Sequence, residues 1–407
     1  MFWGIATLAG GGSGGSGEAG EAGEAALPGL CRRARVVMRQ MKPQEVANIA
    51  WACARLESSE LSRALLPVLA ERIKEVAGEM NAQNVANVIW ATARLASESL
   101  VAALPALAGR SPEVMSSFKA QELANVIWAI AKLSESESCG SLTQLLPALA
   151  GRVTEATSQM KAQEAANVIW ATATLADGEP SLLQALPLLA HRVQAVMLQL
   201  KAQEVSNVIW AAAKLSDLGD GSLLRLLPSL ADRAEELLPQ MTAQGLANII
   251  CAAATLAESE AVALLNLPPV LSQARDMVFQ MNAQEVANIV WAVARLESAD
   301  SECGHKALKL LPSLAERIKE VTGEMNAQNV ANVIWAAARL WDSSLLALLP
   351  TLLDRSKEVK GQMTTQSISN ITWAVARLTA RNGQLGMYVP VFATVAEKVK
   401  RVMATVP

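Results

Sequence analysis

The chain has 407 residues, 52% hydrophobic and 18% charged, with a formal net charge of −3 and a pI near 5.7. That balance excludes the strongly basic make-up of a bulk nucleic-acid binder, so any polyanion contact must come from a local basic row. Five cysteines lie far apart with no Cys-x-x-Cys pair, which fits reduced intracellular thiols rather than a disulfide framework, and no apolar run reaches the ~18 residues of a membrane span.

Aromatic residues make up only 4%, yet 10 of them are Trp against 4 Phe and 1 Tyr. One aromatic type spread evenly points to a repeated motif. The repeat is visible from Lys42, where KPQEVANIAWACARL begins. NAQNVANVIWATARL follows from Asn81, KAQELANVIWAIAKL from Lys119, KAQEAANVIWATATL from Lys161 and KAQEVSNVIWAAAKL from Lys201. TAQGLANIICAAATL from Thr242, NAQEVANIVWAVARL from Asn282, NAQNVANVIWAAARL from Asn326 and TTQSISNITWAVARL from Thr364 complete the series. The glutamines that mark these A segments, from Gln44 to Gln366, are 38 to 44 residues apart. That period predicts an all-α fold, a right-handed α-solenoid of about nine helical-hairpin repeats.

In chain order, residues 1–9 are expected to be the back half of an A helix, because Trp3 to Ala9 aligns with Trp170 to Ala176. Residues 10–26, rich in Gly, Ser, Glu and Ala, read as a flexible loop, and residues 27–407 as the repeat array. Pro390 is expected to open a last B helix. Neither end carries a polar cap, so the chain reads as a piece of a longer array or a truncated gene model. An in-frame A segment upstream in the transcript supports that; a mapped start at Met1 sinks it.

Each A segment is expected to be a helix of about 14 residues. Asn81, Thr242, Asn282, Asn326 and Thr364 suit N-caps, and Glu285 makes a capping box with Asn282. Each B segment has the form LLPxLAxR. Its proline must kink the helix or divide it; Ser141, Ser181, Ser222 and Ser344 are expected to cap it. Arg72 with Glu75, Arg317 with Glu320 and Arg355 with Glu358 fall at i,i+3. From each B proline to the next marker glutamine is 16 residues; from glutamine to the next proline it is 22 to 28. All length variation therefore sits in the A-to-B connection.

At about 100° per residue, Gln, Asn four on, Trp seven on and Arg or Lys eleven on share one stripe of the A helix. The Asn row is Asn48, Asn87, Asn125, Asn167, Asn207, Asn248, Asn288, Asn332 and Asn370. The Trp row runs Trp51, Trp90, Trp128, Trp170, Trp210, Trp291, Trp335, Trp373, with Cys251 in the gap. The basic row is Arg55, Arg94, Lys132, Lys214, Arg295, Arg339 and Arg377, with Thr174 and Thr255 in its gaps. Amides bond bases or peptide backbone, indoles stack on bases or side chains, and cations meet phosphates, a set suited to single-stranded nucleic acid. The same recurrence fits a packing role for Asn and Trp. Positions that vary are candidate readers: Lys42, Asn81, Lys119, Lys161, Lys201, Thr242, Asn282, Asn326 and Thr364, and the residue after each glutamine. Capping is the competing role for both.

No enzyme motif is visible: there are two histidines, His191 and His305, and no HExxH, P-loop or GxSxG pattern. No metal, cofactor or small-molecule substrate is expected, and no membrane association.

The segment QELANVIWAIAKL from Gln121, repeated along essentially the whole chain from Pro28, resembles octotricopeptide repeats. In the B helix LLPxLAxR stands where that family carries a PPPEW-like segment. The resemblance implies organellar RNA binding, in chloroplast or mitochondrion, acting in transcript stability, processing or translation. No targeting peptide is readable. The other reading of the stripe is an armadillo-like scaffold for a peptide or protein partner; a third is a capless fragment with no function of its own. The stretches Glu71–Leu95 and Glu316–Leu340 differ at two positions, so any base code predicts that both read the same base.

Overall fold

A computed structural model describes residues 29–56, 60–134, 140–257, 259, 261–262, 265–298 and 302–382. The segments expected at residues 1–9 and 10–26, and the last B helix after Pro390, lie outside the described residues. The described residues are helical, with no strand among them. The chain forms two compact units, Met1–Leu200 and Lys201–Pro407.

In the first unit the A helices are α1 (Pro43–Arg55), α3 (Ala82–Leu95), α5 (Ala120–Leu133) and α7 (Ala162–Leu175). The B helices are α2 (Glu60–Val76), α4 (Leu104–Val114), α6 (Leu146–Ala156) and α8 (Leu186–Ala195). In the second unit the A helices are α9 (Ala202–Asp217), α11 (Ala243–Thr255), α13 (Ala283–Ser298), α15 (Ala327–Leu340) and α17 (Thr365–Asn382). Its B helices are α10 (Leu227–Leu237), α12 (Leu267–Met277), α14 (Leu311–Val321) and α16 (Leu349–Glu358). Within each unit every A helix packs on the next A helix, and each B helix on the A helix before it. The result is an α-helical repeat architecture in two layers.

The alanines of the A segments explain the close A-to-A packing. In α3, Ala82, Ala86 and Ala91 are buried along with Val85, Val88 and Ile89. Small side chains let backbones approach, and the β-branched residues fill the space toward the B layer. The Gln–Asn–Trp–cation stripe is left on the outer side of the A layer.

The proline divides the B segment almost everywhere. Pro105, Pro147, Pro187, Pro228, Pro268, Pro312 and Pro350 stand in the first turn of their helices, where the missing N–H costs nothing. In α2, Pro67 lies inside one continuous helix. The serines expected as caps do not cap. Ser181 and Ser344 are themselves held by the carboxylates of Glu179 and Asp342, two residues earlier, and Ser222 N–H donates to Asp220 Oδ1 at 2.8 Å. The Ser141 hydroxyl is buried with no partner among the described residues. A carboxylate can accept two backbone N–H groups at once, so the acid two residues upstream takes the cap.

The constant 16-residue stretch ends in one motif. A B helix passes into a single 3-10 turn, such as Ala77–Glu79 or Thr322–Glu324, then one extended residue, then the N-cap. The extended residue is buried and apolar: Met80, Phe118, Met160, Met281 and Met325. Its carbonyl is the target of the B-helix arginine. Arg72 Nε donates to Met41 O at 3.1 Å, Arg110 Nε to Met80 O at 2.8 Å and Arg192 Nε to Met160 O at 2.6 Å. Arg317 Nε reaches Met281 O at 2.8 Å, and Arg355 Nε reaches Met325 O at 3.0 Å. Each such bond clasps a hairpin shut between the start of its A helix and the middle of its B helix. The other end of the guanidinium pairs with the glutamate three residues on, at 2.8 Å for Arg72–Glu75 and 2.6 Å for Arg317–Glu320 and Arg355–Glu358.

Candidate ligand-binding face

The stripe is carried by the A helices, and each of its four rows has a distinct environment. The marker glutamines are exposed except Gln328, which is half-buried. The asparagines are half-buried, apart from Asn332 at 7% exposure. Hydrogen bonds engage few of their amides. Asn248 Nδ2 donates to Asn207 Oδ1 at 3.3 Å, and Gln328 Nε2 donates to Asn332 Oδ1 at 2.9 Å. The side-chain amides of Asn48, Asn87, Asn125, Asn167, Asn288 and Asn370 make no hydrogen bond among the described residues.

The indoles both pack and face out. Trp90 to Trp128 and Trp128 to Trp170 are 6.5 Å apart between ring centroids, tilted at 34° and 39°. Trp335 to Trp373 is 5.8 Å at 35°. The indoles of the row are half-buried, except Trp373, which is 37% exposed.

Rings of this row carry cations from the chain itself. Because the basic residue is four on from the Trp, it lies one turn along the same face. Arg55 stands 5.5 Å from the centroid of Trp51, Lys214 5.7 Å from Trp210, and Arg295 5.4 Å from Trp291. Arg339 is 5.4 Å from Trp335 and Arg377 5.3 Å from Trp373. Lys132 lies over two rings, 6.0 Å from Trp128 and 5.0 Å from Trp170, so it supplies the cation that Thr174 does not. Each contact is worth roughly 0.5–1 kcal/mol at an exposed site. Arg339 Nε also donates to Ser298 Oγ at 2.6 Å, and Arg377 Nε to Ala338 O at 3.1 Å. Arg94 is exposed at the end of α3.

The variable positions are occupied with helix ends. Asn81 and Asn326 each accept from the N–H three residues on, at 2.9 Å. Asn282 accepts from Glu285 N–H at 3.0 Å, while Glu285 accepts from Asn282 N–H at 2.9 Å, which closes the expected capping box. Thr242 and Thr364 accept at 3.2 Å. Glu45, Glu122, Glu164 and Glu204 accept the N–H of Lys42, Lys119, Lys161 and Lys201 at 2.7–2.8 Å. These four lysines differ from the other caps. An ammonium cannot accept an N–H and sits at the positive end of the helix dipole. All four are exposed, and their ammonium groups have no partner among the described residues.

The sequence reading missed the arginine clasp. Its signal was present, since an arginine recurs at a fixed distance after the B proline. Only its i,i+3 glutamate partner was read, because the carbonyl it bonds lies about thirty residues back or more. Among the described residues no group of three or more His, Cys, Asp and Glu could hold a metal, and no helix is long and apolar enough to cross a membrane.

No protein-family model and no curated protein matches the chain. Among solved structures it is similar to a chain described as "Homology model of the full-length AP-3 complex in an intermediate open conformation", at 12% identity and a TM-score of 0.24, over 97% of this chain and 84% of that one.

Proposed function

We propose that this array is a right-handed α-solenoid of about nine repeats that binds single-stranded RNA along the Asn–Trp–cation face, with about one nucleotide per repeat. The observation that carries this reading is the cation over the indoles. A scaffold that grips the basic side chains of a peptide needs bare ring faces. Here the chain's own Lys and Arg stand over the rings, so the partner that completes the face is anionic and planar. Bases can stack on the open part of each indole while phosphates meet the cation above it.

The acidic net charge does not oppose this. The B-helix glutamates are paired with arginines, and the A-helix glutamates are turned into helix caps. Lys42, Lys119, Lys161 and Lys201 add a second exposed basic row at the start of their helices. The 6.5 Å between neighbouring indoles in the first unit is about twice the ~3.4 Å rise of stacked bases, which suits a strand opened by one ring per repeat. The likeness of the A segment to octotricopeptide repeats supports the same reading, and with it a role in organellar transcript stability, processing or translation.

Selection from a randomised single-stranded RNA pool, followed by binding at several salt concentrations, tests it. One enriched motif of about nine nucleotides is expected. Replacing Arg295, Arg339 and Arg377 together by Gln is expected to flatten the log–log salt slope by about 0.7 for each phosphate no longer neutralised. No enrichment, or binding indifferent to salt, overturns the reading. Binding of an acidic peptide without RNA returns the array to the peptide-scaffold class.

A further inference from the structure

Within the second unit one rung differs from its neighbours in both its aromatic and its basic row. Helix α11 has Cys251 where α9, α13, α15 and α17 have Trp, and Thr255 where they have Lys or Arg. Its N-cap is Thr242, and Gly245 stands where other rungs carry Glu, Asn or Ser. Apart from the exposed Gln244, the polar groups that remain bond to the protein itself. The Cys251 thiol donates to Asn288 O at 3.6 Å, the Thr255 hydroxyl to Cys251 O at 3.0 Å, and the Asn248 amide to Asn207 Oδ1 at 3.3 Å. Burial pushes the Cys251 thiol up to about 12, so it stays neutral and unreactive. Gly245 is buried, and a Cβ there would come within 3.3 Å of Ser206 Oγ. The close approach of α9 and α11 therefore leaves little room for a side chain at that point.

The contrast with Thr174 in the first unit is informative. That rung also lacks a cation, but it keeps Trp170, and Lys132 from the preceding rung lies over the ring. For α11 there is no ring to cover. Of its stripe, only Gln244 remains exposed.

We propose that α11 is a silent rung: the RNA strand crosses it without a stacking or ionic contact, so the array reads its target in two blocks separated by one unread nucleotide. This rests on the RNA reading above. Specificity is thereby set partly by what α11 lacks. Base identity opposite it is free, and the nucleotide serves only as a spacer of fixed length. Deleting that nucleotide shifts one block out of register, whereas changing its base does nothing.

The test uses the intact chain and an RNA recovered from the randomised pool, prepared as a set in which each position in turn is abasic. An abasic nucleotide opposite a Trp rung is expected to weaken binding about tenfold or more, and opposite α11 by less than about twofold. One interior tolerant position is expected, with three sensitive positions on one side of it, for α13, α15 and α17. Deleting the tolerant nucleotide is expected to weaken binding about a hundredfold, as a register slip forfeits several stacked bases at once. Filling the rung with Cys251→Trp and Thr255→Arg is expected to make the tolerant position sensitive. Emptying the next one with Trp291→Ala and Arg295→Gln is expected to create a second tolerant position beside the first, a result that does not depend on the filled variant folding. Equal losses at every position overturn this inference alone. Failure of every RNA to bind overturns the functional reading, and this inference with it.

Discussion

The stretches Glu71–Leu95 and Glu316–Leu340, one in each unit, are the same sequence but for Ala77/Thr322 and Thr92/Ala337. Their internal chemistry is also the same. Both A helices are capped by asparagine at 2.9 Å. Both hairpins are clasped by arginine, at 3.1 and 2.8 Å. Both A helices end on a left-handed residue, Ala96 at φ 47° and Trp341 at φ 58°. Their outer faces nevertheless differ. Gln83 is exposed and Asn87 half-buried. Gln328 donates to Asn332 at 2.9 Å and accepts from Ser367 Oγ at 3.0 Å, and Asn332 is 7% exposed. The cause lies in the repeat that follows, which presents Ser367 where the first has Glu122 bonded back to its own cap. A rung is completed by its neighbour, so identical sequence does not make identical surface.

Paired substitutions separate what is shared from what is not. The largest effect is expected at the indoles. Trp90→Ala and Trp335→Ala should each cost about 3 kcal/mol, with Trp335 the more costly because its neighbouring indole is closer, 5.8 against 6.5 Å. Urea unfolding measures this, and losses below about 0.5 kcal/mol would mean the rings hold nothing together. Next are the clasps. Arg72→Ala and Arg317→Ala should each cost about 2 kcal/mol, since a partly buried carbonyl is deprived of a charged donor. Glu75→Gln and Glu320→Gln should cost under about 0.5 kcal/mol, as expected of exposed ion pairs. Equal losses from the arginine and glutamate variants would show that the pair, not the clasp, matters.

Cap removal comes third, with Asn81→Ala and Asn326→Ala each expected to lower stability by about 1 kcal/mol; a difference between them would trace to their neighbours. At the helix ends the sign reverses. Ala96→Gly should stabilise by about 0.5–1 kcal/mol, by relieving a left-handed Cβ. Trp341→Gly should gain less, because Arg381 stands 5.0 Å from that ring and would be left without its seat. A thermal melt of each variant decides this. Ser367→Glu stands apart: Ser367 is fully buried and its hydroxyl donates to Gln328, so a loss of about 1–3 kcal/mol is expected, and under the proposed RNA reading the base preference of the second stretch should move to that of the first. An unchanged preference would take the neighbour out of the code.

The repeat architecture was legible because its determinants are local. Periodic Val, Ile and Ala in the A segment, N-caps at fixed offsets and a proline at the head of all the B helices but α2 act within one or two turns. The stripe was legible too, as helical geometry alone aligns Gln, Asn, Trp and cation. What the sequence did not disclose is which groups on that stripe are already engaged. The seat of Lys132 between two rings, the bond from Ser367 to Gln328 and the reach of Arg72 to Met41 O each join residues more than thirty positions apart. The caps at Ser181, Ser222 and Ser344 failed for a local reason, in that a carboxylate two residues upstream outcompetes a hydroxyl.

The clasp also bears on how such a chain can change length. Arg72 and Met41, like Arg317 and Met281, belong to one hairpin together with the extended residue before it. Cutting the gene at the codons of two successive buried methionines and rejoining the ends removes a whole cassette, and every remaining arginine keeps its own carbonyl. Duplication at the same codons adds a cassette on the same terms. If the array reads RNA one unit per repeat, as proposed above, this makes a change in target length a single genetic step.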